Sequence, residues 1–464
     1  MTLTYGVAAL GRPTFDVPFA EEMTMKAFAA IEAAGISAVG PRKLLYDAAA
    51  AEEAIAAIKD GGPIDALLIL QITFTDATMT VNLARAATAP VAIWAVPEPR
   101  VGGRLRLNAF CGLNLAAHAL GKEGIPHGWL YAAPDAVNLG ATLRQFATPG
   151  VIKASAARRS AASSPKGSAA LEKIRGARIS VVGEHPAGFD TCEYDDRELA
   201  ALADIQVDKV GLDELFERAR AIPEQRARAA RTRAGEALAG LDKVDQAQLD
   251  RSFRVFCALD DIRHENRASG LAVRCWPETF TEYGCAACGP MAMMNEKRVP
   301  SACEADVYGA FSALLLQELA DEPAWMADLV DVDFGDETGV FWHCGLAPLS
   351  MCDPEATPEA TIHTNRKMPL LHQFPLKPGH FTFARLSQAR NETKLVIGAG
   401  EFIRRPMAFT GTSGVFRFAR PLKAVLCSIM DEALEHHFAI AYGDHREALK
   451  AIAAELKLPA LEIA

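Results

Sequence analysis

The sequence predicts an α/β fold, in which two doubly wound α/β units precede a β-rich, antiparallel C-terminal unit. Apolar runs alternate with helical patterns up to about residue 320, and the hydrophobic period then changes to two. A chain of 464 residues is also too long for one ordinary hydrophobic core. We therefore expect three domains, at residues 1–165, 166–320 and 321–464.

The composition is that of a globular enzyme or binding protein, since 50% of the residues are hydrophobic and 23% are charged. A net charge of −10 is modest for this length and disfavours a nucleic-acid partner. No apolar run is long enough to cross a bilayer, and the N-terminus lacks the pattern of a signal peptide. The ten scattered cysteines are typical of reduced thiols. We expect a cytoplasmic protein with no membrane partner.

The first unit contains apolar runs of strand length at residues 4–10, 65–74, 89–97 and 127–133. Continuous apolar runs are typical of strands that are buried on both faces of a parallel sheet. An Ala-rich, amphipathic pattern at 19–34 predicts a helix between the first two strands. These alternating elements predict repeated βα units and a doubly wound sheet.

A second α/β unit follows a stretch of small, polar and basic residues at 154–169, which we interpret as a linker or, alternatively, as a surface loop. The unit begins with a β-branched strand and a Gly/Pro turn at 177–190. Long charged patterns predict helices at 213–238 and 246–267, and residues 270–278 predict a strand that runs into a loop.

The last third shows the alternation of half-buried strands. Residues 328–345 predict a hairpin, and further strands are predicted at 380–387, 394–402 and 414–420. Such a series indicates an antiparallel sheet or barrel. A helical pattern at 445–458 closes the chain.

Two common chemical motifs are missing or incomplete. Neither a G-x-G-x-x-G nor a G-x-x-x-x-G-K-[ST] sequence is present, so no phosphate-binding loop is predicted. Cys285 and Cys288 form a C-x-x-C pair, with Cys275 and Cys303 at uneven distances. A structural zinc site needs four converging ligands. We therefore favour a mobile loop between residues 276 and 302 at the edge of an active site, with zinc as the alternative.

Acidic residues occur at both ends of the last predicted helix of the second unit. Glu304 and Asp306 lie in the first turn of a helix predicted at 301–319, and Asp328 begins the hairpin that follows it. Acids in a first helical turn ordinarily stabilise the helix by interacting with the positive end of its dipole. If Glu304 and Asp328 converge with an imidazole, however, they can hold a divalent cation with open coordination positions.

Three histidines of the last third could supply that imidazole. His343 lies where the hairpin strand breaks into Gly and Pro, and His436 and His437 precede the final helix. Paired histidines on an apolar strand are ordinarily one buried and one exposed side chain, so their residue type alone does not indicate a metal site.

Four segments together resemble the L-fucose isomerase family, to which L-arabinose isomerase is more distantly related. They are "CEADVYGA" at 303–310, "WMADLVDVD" at 325–333, "WHCGLAP" at 342–348 and "HHFAIAYGDHREALKAIAAELKLP" at 436–459. Their order fits the family, and the resemblance runs from about residue 270 to the end of the chain.

This resemblance implies two Rossmann-like or flavodoxin-like α/β domains and a barrel-like C-terminal domain, assembled as trimers or hexamers. It implies an aldose–ketose isomerase with a divalent cation, usually Mn²⁺. Glu304 and Asp328 would be both catalytic residues and metal ligands, and His437 would complete the ligand set, with His436 as the less favoured register. His343 matches a ligand position of the arabinose branch.

The implied reaction moves a proton between C1 and C2 of a sugar through a cis-enediol(ate), with a metal that polarises the carbonyl group. We expect Trp276, His343, Asn365 and Arg366 to contact the sugar. The chain is shorter than typical L-fucose isomerases, so the substrate, a deoxy sugar or a sulfonated hexose among others, stays open. A metal-dependent epimerase or lyase, or a non-catalytic sugar-binding protein, are the alternatives.

Overall fold

The computed structural model of the chain describes residues 2–464 and begins with a layer of parallel strands and helices. Its elements in chain order are β1 (Leu3–Leu10), α1 (Val17–Ala33), β2 (Ile36–Val39), β3 (Leu44–Leu45), α2 (Ala48–Asp60), β4 (Ala66–Gln71), α3 (Thr78–Ala86), β5 (Val91–Ala95), α4 (Ala109–Lys122), β6 (His127–Tyr131) and α5 (Leu139–Gln145). The strands form a parallel sheet in the order β2-β1-β4-β5-β6, with β3 beside β1. Every residue of β4 and β5 is buried, which explains their continuous apolar runs.

A second, smaller parallel sheet follows. The elements of this region are β7 (Arg158–Arg159), α6 (Pro165–Ile174), β8 (Arg178–Val182), α7 (Asp196–Ala203), β9 (Gln206–Val210), α8 (Leu212–Ala221), α9 (Glu224–Gly235), α10 (Gln246–Glu265), β10 (Gly270–Val273), α11 (Cys288–Glu296), β11 (Ser301–Ala302) and α12 (Val307–Ala320). The sheet has the order β11-β10-β8-β9. The stretch at 154–169 is not simply a connection, because it contains β7 and the start of α6.

One helix prediction and one loop prediction in this region were wrong. The single helix predicted at 213–238 is two helices, α8 and α9, because Pro223 cannot continue the first of them. The loop predicted between residues 276 and 302 contains a short π-helix at Thr279–Tyr283 and the helix α11. Its small and sulfur-containing side chains are mostly buried, with Met293 partly exposed, so they pack as core residues.

The last third forms a mixed sheet around a closed barrel. Its elements are β12 (Trp325–Asp333), β13 (Thr338–His343), β14 (Glu359–Thr361), β15 (Leu371–Pro375), β16 (Gly379–Ser387), β17 (Lys394–Phe402), β18 (Thr412–Phe418), α13 (Leu422–Asp431), β19 (His437–Tyr442), α14 (Arg446–Glu455) and β20 (Pro459–Glu462). Six antiparallel strands close a ring in the order β12-β13-β18-β17-β16-β19. The β-rich antiparallel region is therefore confirmed, whereas the three domain limits stay predictions.

Phenylalanine rings fill the barrel. Phe341 stacks on Phe416 at a centroid distance of 4.4 Å. Glycines lie in register opposite such rings, as Gly398 does opposite Phe383 on the neighbouring strand. Because glycine has no side chain, it leaves the space that the ring occupies. Large aromatic residues and glycines therefore face each other across the barrel interior.

The first unit packs directly onto the barrel. Asp331 of β12 accepts hydrogen bonds from Tyr131 of β6 and from Arg100, in the loop after β5. Because this contact joins the carboxyl ends of the first sheet to a barrel strand, a cleft forms between them. No helix within residues 2–464 has the length and apolar character needed to span a membrane.

Candidate active site

A cleft that is partly open to solvent lies between the first sheet, the second sheet and the barrel. Seven of the candidate catalytic, metal-binding and sugar-contacting residues line it, namely Trp276, Glu304, Asp328, His343, Asn365, Arg366 and His436. His437 is buried and is not among the lining residues. The structure thus brings together residues that are distant in the sequence.

Glu304 lies at the point where the second sheet ends. It follows β11 and precedes α12, with a left-handed backbone conformation (φ 58°). The prediction that Glu304 lies in the first turn of the helix was wrong: α12 begins at Val307, and Asp306 caps it by accepting a hydrogen bond from the Gly309 N–H at 2.8 Å. A left-handed conformation at a non-glycine residue is uncommon and is held by its surroundings.

The carboxylate of Glu304 is buried and held from two sides. Trp276 Nε1 donates a hydrogen bond to Oε1 at 3.0 Å, and His436 Nε2 lies 3.3 Å from Oε2. Burial raises the pKa of Glu304, but the hydrogen bond with His436 and the charge of His437 outweigh it and lower the pKa to about 2. Glu304 is therefore an ionised carboxylate at neutral pH.

Asp328 lies inside a strand rather than at its start, because β12 begins three residues earlier, at Trp325. In register it stands between Trp342 of β13 and His437 of β19. Its Oδ1 atom is buried and makes no hydrogen bond, although His437 Nε2 lies 3.3 Å away. A buried carboxylate oxygen without a hydrogen bond is a position that a ligand can satisfy.

His437 connects the acids. Its Nε2 atom lies 3.3 Å from Asp328 Oδ1 and 3.7 Å from Glu304 Oε2, and its Nδ1 atom lies 2.9 Å from Asp306 Oδ2. Burial lowers the pKa of His437, but the hydrogen bond with Asp306 and the charges of the other two acids outweigh it and raise the pKa. Asp306 in turn pairs with the fully buried Arg385 at 2.6 Å.

The two candidate histidines have different surroundings. His436 contacts only one acid, Glu304, and its Nδ1 atom is buried without a hydrogen bond. His437 contacts three acids. This arrangement favours His437 as the ligand that both Glu304 and Asp328 share, and it places His436 beside the cleft as a partner of Glu304.

His343 lies at the end of β13, close to this group. Its Nδ1 atom accepts the backbone N–H of Cys344 at 2.8 Å, and its Nε2 atom is buried without a hydrogen bond. Burial lowers the pKa of His343 to about 4, so its imidazole is neutral at pH 7. Because Nδ1 accepts a hydrogen bond, the neutral ring carries its proton on Nε2, which is therefore a buried donor without a partner.

These donors fit a divalent cation. Ligand atoms of Glu304, His436 and His437, and those of Asp328, His343 and His437, form two groups in which all atoms lie within 4.8 Å of one another. One of the atoms, Asp328 Oδ1, is a buried acceptor that makes no hydrogen bond in the protein. Carboxylate oxygens combined with imidazole nitrogens suit Mn²⁺ and related ions.

The cysteines considered for a zinc site form no comparable group within residues 2–464, and the one cysteine in such a group there is Cys192, with Asp306 and His437. Cys275 and Cys303 are in contact, with their sulfur atoms 2.7 Å apart. Within residues 2–464, however, no group of three potential ligand atoms includes these cysteines or the C-x-x-C pair. The geometry thus gives no support to the zinc alternative.

The other predicted sugar-contacting residues lie along the same cleft. Asn365 Oδ1 accepts a hydrogen bond from Arg104 at 2.9 Å. The guanidinium carbon of Arg366 lies 5.9 Å from the centroid of the Trp276 ring. Arg12, which the sequence analysis missed, lies 4.9 Å from the same ring.

A signal for Arg12 exists in the sequence. It follows β1, and residues at the carboxyl ends of parallel strands form the ligand-binding edge of such sheets. Arg385 also has a signal, because it is a single arginine in an otherwise apolar strand pattern at 380–387. Such a residue needs a buried acidic partner, which here is Asp306.

Two family models match parts of the chain. Residues 6–153 match the model of the fucose/sulfoquinovose isomerase N-terminal domain, and residues 343–463 match that of the L-fucose isomerase C-terminal domain. Glu304 and Asp328 lie between the two matched segments, whereas His343 and His437 lie in the second.

Full-length relatives match as well. The sulfoquinovose isomerase of Priestia megaterium is 30% identical over 447 residues, which cover 95% of this chain and 94% of the relative. The sulfoquinovose isomerase of Alkalicoccus urumqiensis is 30% identical over 86% of both chains. That of a Clostridium species is 29% identical over 98% of both chains.

Proposed function

Because the chain belongs to the fucose/sulfoquinovose isomerase family, we propose that it is a metal-dependent enzyme that interconverts a sulfonated aldohexose and the corresponding ketose. It is an aldose–ketose isomerase, and this family membership favours an enzyme over a non-catalytic sugar-binding protein. The sulfonated substrate, the metal and the roles of the residues below are our proposals.

One observation carries the proposed mechanism. Glu304 and Asp328 belong to different sheets, yet both carboxylates lie within 4 Å of His437 Nε2, at 3.7 and 3.3 Å. Both acids line the cleft and both lie close to His437, and two acids with one imidazole are groups that an enediol isomerisation uses. The same groups would also serve a metal-dependent epimerase or lyase, and the names of the relatives favour isomerisation.

Glu304, Asp328 and His437 would hold the cation, and the Nε2–H group of His343 beside them would donate a hydrogen bond to a sugar oxygen. When bound there, Mn²⁺ supplies a Lewis acid that polarises the carbonyl group of the sugar. Trp276 and Trp342 also line the cleft, and we expect their rings to limit the access of water to the reacting carbons.

The two acids would share the proton transfers. Glu304 is ionised and fixed by Trp276 and His436, so it is placed to take the proton from one sugar carbon and to return it to the other. Asp328 Oδ1 makes no hydrogen bond to the protein, so it can exchange a proton with the hydroxyl groups at C1 and C2.

The proposal is tested by incubating the purified protein with sulfoquinovose and other aldohexoses in D₂O and observing ketose formation by NMR. We expect ketose from the sulfonated sugar, with deuterium at C1, and loss of activity with EDTA that Mn²⁺ restores. Activity that is unaffected by exhaustive metal removal, or that only proceeds on unsubstituted sugars, would contradict the proposal.

The family resemblance also leads us to propose a homo-oligomer, a trimer or hexamer, located in the cytoplasm. Light scattering coupled to size-exclusion chromatography would measure its mass directly. A monomer in solution at micromolar concentration would contradict the proposed assembly.

A further inference from the structure

Two arginine side chains lie against one tryptophan in the cleft. The guanidinium carbons of Arg12 and Arg366 are 4.9 and 5.9 Å from the ring centroid of Trp276. All three residues line the cleft that also contains Glu304 and Asp328. Two like charges at one wall repel each other, so their placement needs a compensating negative charge.

Only one of these charges is compensated by the protein. Arg12 forms an ion pair with Asp76 at 3.0 Å, whereas the Arg366 side chain has no hydrogen-bond or ion-pair partner within residues 2–464. Its other neighbour is an aromatic ring, that of Phe280, at 5.7 Å. Burial lowers the pKa of Arg366, and the charge of Arg12 lowers it further. An arginine nevertheless stays charged, so one positive charge remains unpaired.

The same tryptophan links this charge to the catalytic acids. Trp276 donates its indole N–H to Glu304 at 3.0 Å, while its ring faces the two guanidinium groups. The cleft therefore has an acidic end and a basic end, one indole apart. An extended six-carbon sugar spans about 6 Å from C1 to C6, given C–C bonds of about 1.5 Å, which is similar to the length of an indole.

We propose that Arg366, with Arg12 beside it, forms a subsite for a tetrahedral oxyanion at C6 of the sugar, and that this oxyanion is a sulfonate. The inference rests on the proposed function, because it assumes that C1 and C2 lie at Glu304 and Asp328. Arg366 supplies one uncompensated charge for the single negative charge of a sulfonate, whereas a phosphate would bring nearly two. Arg104, which contacts Asn365 and has no ion pair within residues 2–464, adds to the positive potential, so the C6 substrates below decide between the two anions. The planar fork of arginine can donate two parallel hydrogen bonds to such an oxyanion.

The subsite is tested with three substrates that differ at C6: sulfoquinovose, glucose 6-phosphate and glucose. The variant Arg366→Gln removes the unpaired charge. Lys367→Gln is the matched control, since Lys367 is the next residue, carries the same charge, is exposed and does not line the cleft. We expect Arg366→Gln to lower kcat/KM for sulfoquinovose roughly 10- to 100-fold, as for the loss of a hydrogen bond to a charged group.

The neutral substrate supplies the specificity criterion. With glucose, Arg366→Gln should stay within about threefold of the wild type, and Lys367→Gln should do so with all three sugars. An equal loss with sulfoquinovose and glucose, or no loss with either, would overturn the subsite. A preference of the wild type for glucose 6-phosphate would overturn the choice of sulfonate.

Binding measurements separate this inference from the proposed function. Calorimetry with Glu304→Gln, in which turnover should be blocked, reports the affinity for each sugar directly. If the wild type makes no ketose but Glu304→Gln binds sulfoquinovose and loses this affinity on adding Arg366→Gln, the function fails while the subsite stands. Absence of selective sulfoquinovose binding overturns the subsite whether or not the enzyme isomerises other sugars.

Discussion

His437 and Asp306 form a buried pair in which the Nδ1 atom of the imidazole lies 2.9 Å from a carboxylate oxygen. The contact leaves Nε2 facing Glu304 and Asp328. Arg385 holds the far side of the Asp306 carboxylate at 2.6 Å, and Asp306 and Arg385 are both fully buried. A carboxylate on the second nitrogen of a ligand histidine fixes its orientation and raises its basicity.

Asp306→Asn should therefore weaken metal binding without changing any of the proposed ligands. We expect the Mn²⁺ affinity of the metal-free protein, measured by titration calorimetry, to fall roughly 10- to 100-fold. Asp321→Asn is the control, because that acid is exposed and pairs only with Arg298 at the surface. Unchanged Mn²⁺ affinity in a folded Asp306→Asn protein would show that this pair does not position His437.

Glu304→Gln and Asp328→Asn should each abolish turnover while the protein stays folded. The substitutions preserve side-chain size but remove the group that accepts a proton, and such groups contribute on the order of 10²–10⁴-fold to the rate. Ketose formation measures the rate, and circular dichroism together with the melting temperature measures folding. Glu282→Gln, an exposed acid on the π-helix, is the matched control. Wild-type rates in either site variant would reject the assignment.

Sequence motifs predicted some of the site residues and missed others. Glu304, Asp328 and the histidine pair were found because each lies in a segment that resembles a family motif. Arg12 was missed, because its role depends on the first sheet facing the barrel across more than 250 residues of sequence. The pairing of Arg385 with Asp306 was missed for the same reason. Spacing along the chain carries no information on which sheets meet.

The fold was predictable where one periodicity dominates. The buried strands β4 and β5 and the alternating strands of the barrel were located from their patterns, because burial on one or two faces imposes those patterns. Helix α11 was missed because its Cys, Ala, Gly and Met residues show no helical hydrophobic period, and such small side chains are also typical of loops. In the structure most of these side chains are buried in the core. Helix α13 was also not predicted. The division of the predicted helix at 213–238 was missed although Pro223 is a clear signal for it.

Glu98 should make stability depend on pH. It accepts the backbone N–H groups of Leu107 and Asn108 at 2.9 and 2.8 Å, and so anchors a loop whose residue Asn108 lines the cleft. Burial outweighs these hydrogen bonds and raises the pKa of Glu98 from 4.5 to about 7. The folded protein thus binds a proton that the unfolded chain releases between these values.

The stabilisation from protonated Glu98 should be fully present below about pH 4.5 and be lost as the pH rises through about 7, by up to about 3 kcal/mol. Glu98→Gln is neutral at every pH and should remove this dependence. We expect the melting temperature of the wild type, relative to that of Glu98→Gln, to be lower at pH 8 than at pH 5. The exposed Glu282→Gln should show no such trend, and a reversed trend for Glu98 would contradict the assignment.

Gly398→Ala should destabilise the barrel. A Cβ atom at this position would lie 2.1 Å from the Phe383 ring, and this ring cannot move away because it packs against Phe438 at a centroid distance of 5.2 Å. Overpacking of this kind typically costs 1–3 kcal/mol, which should lower the melting temperature by several degrees. Gly235→Ala, whose added Cβ would only reach ordinary contact at 3.6 Å, should leave the melting temperature unchanged or slightly raise it.

A double variant tests the cause of this loss. Adding Phe383→Leu to Gly398→Ala should recover part of the lost stability, because it removes the ring that clashes. If the two substitutions were simply additive, the register of glycine opposite phenylalanine would not be what determines packing in the barrel.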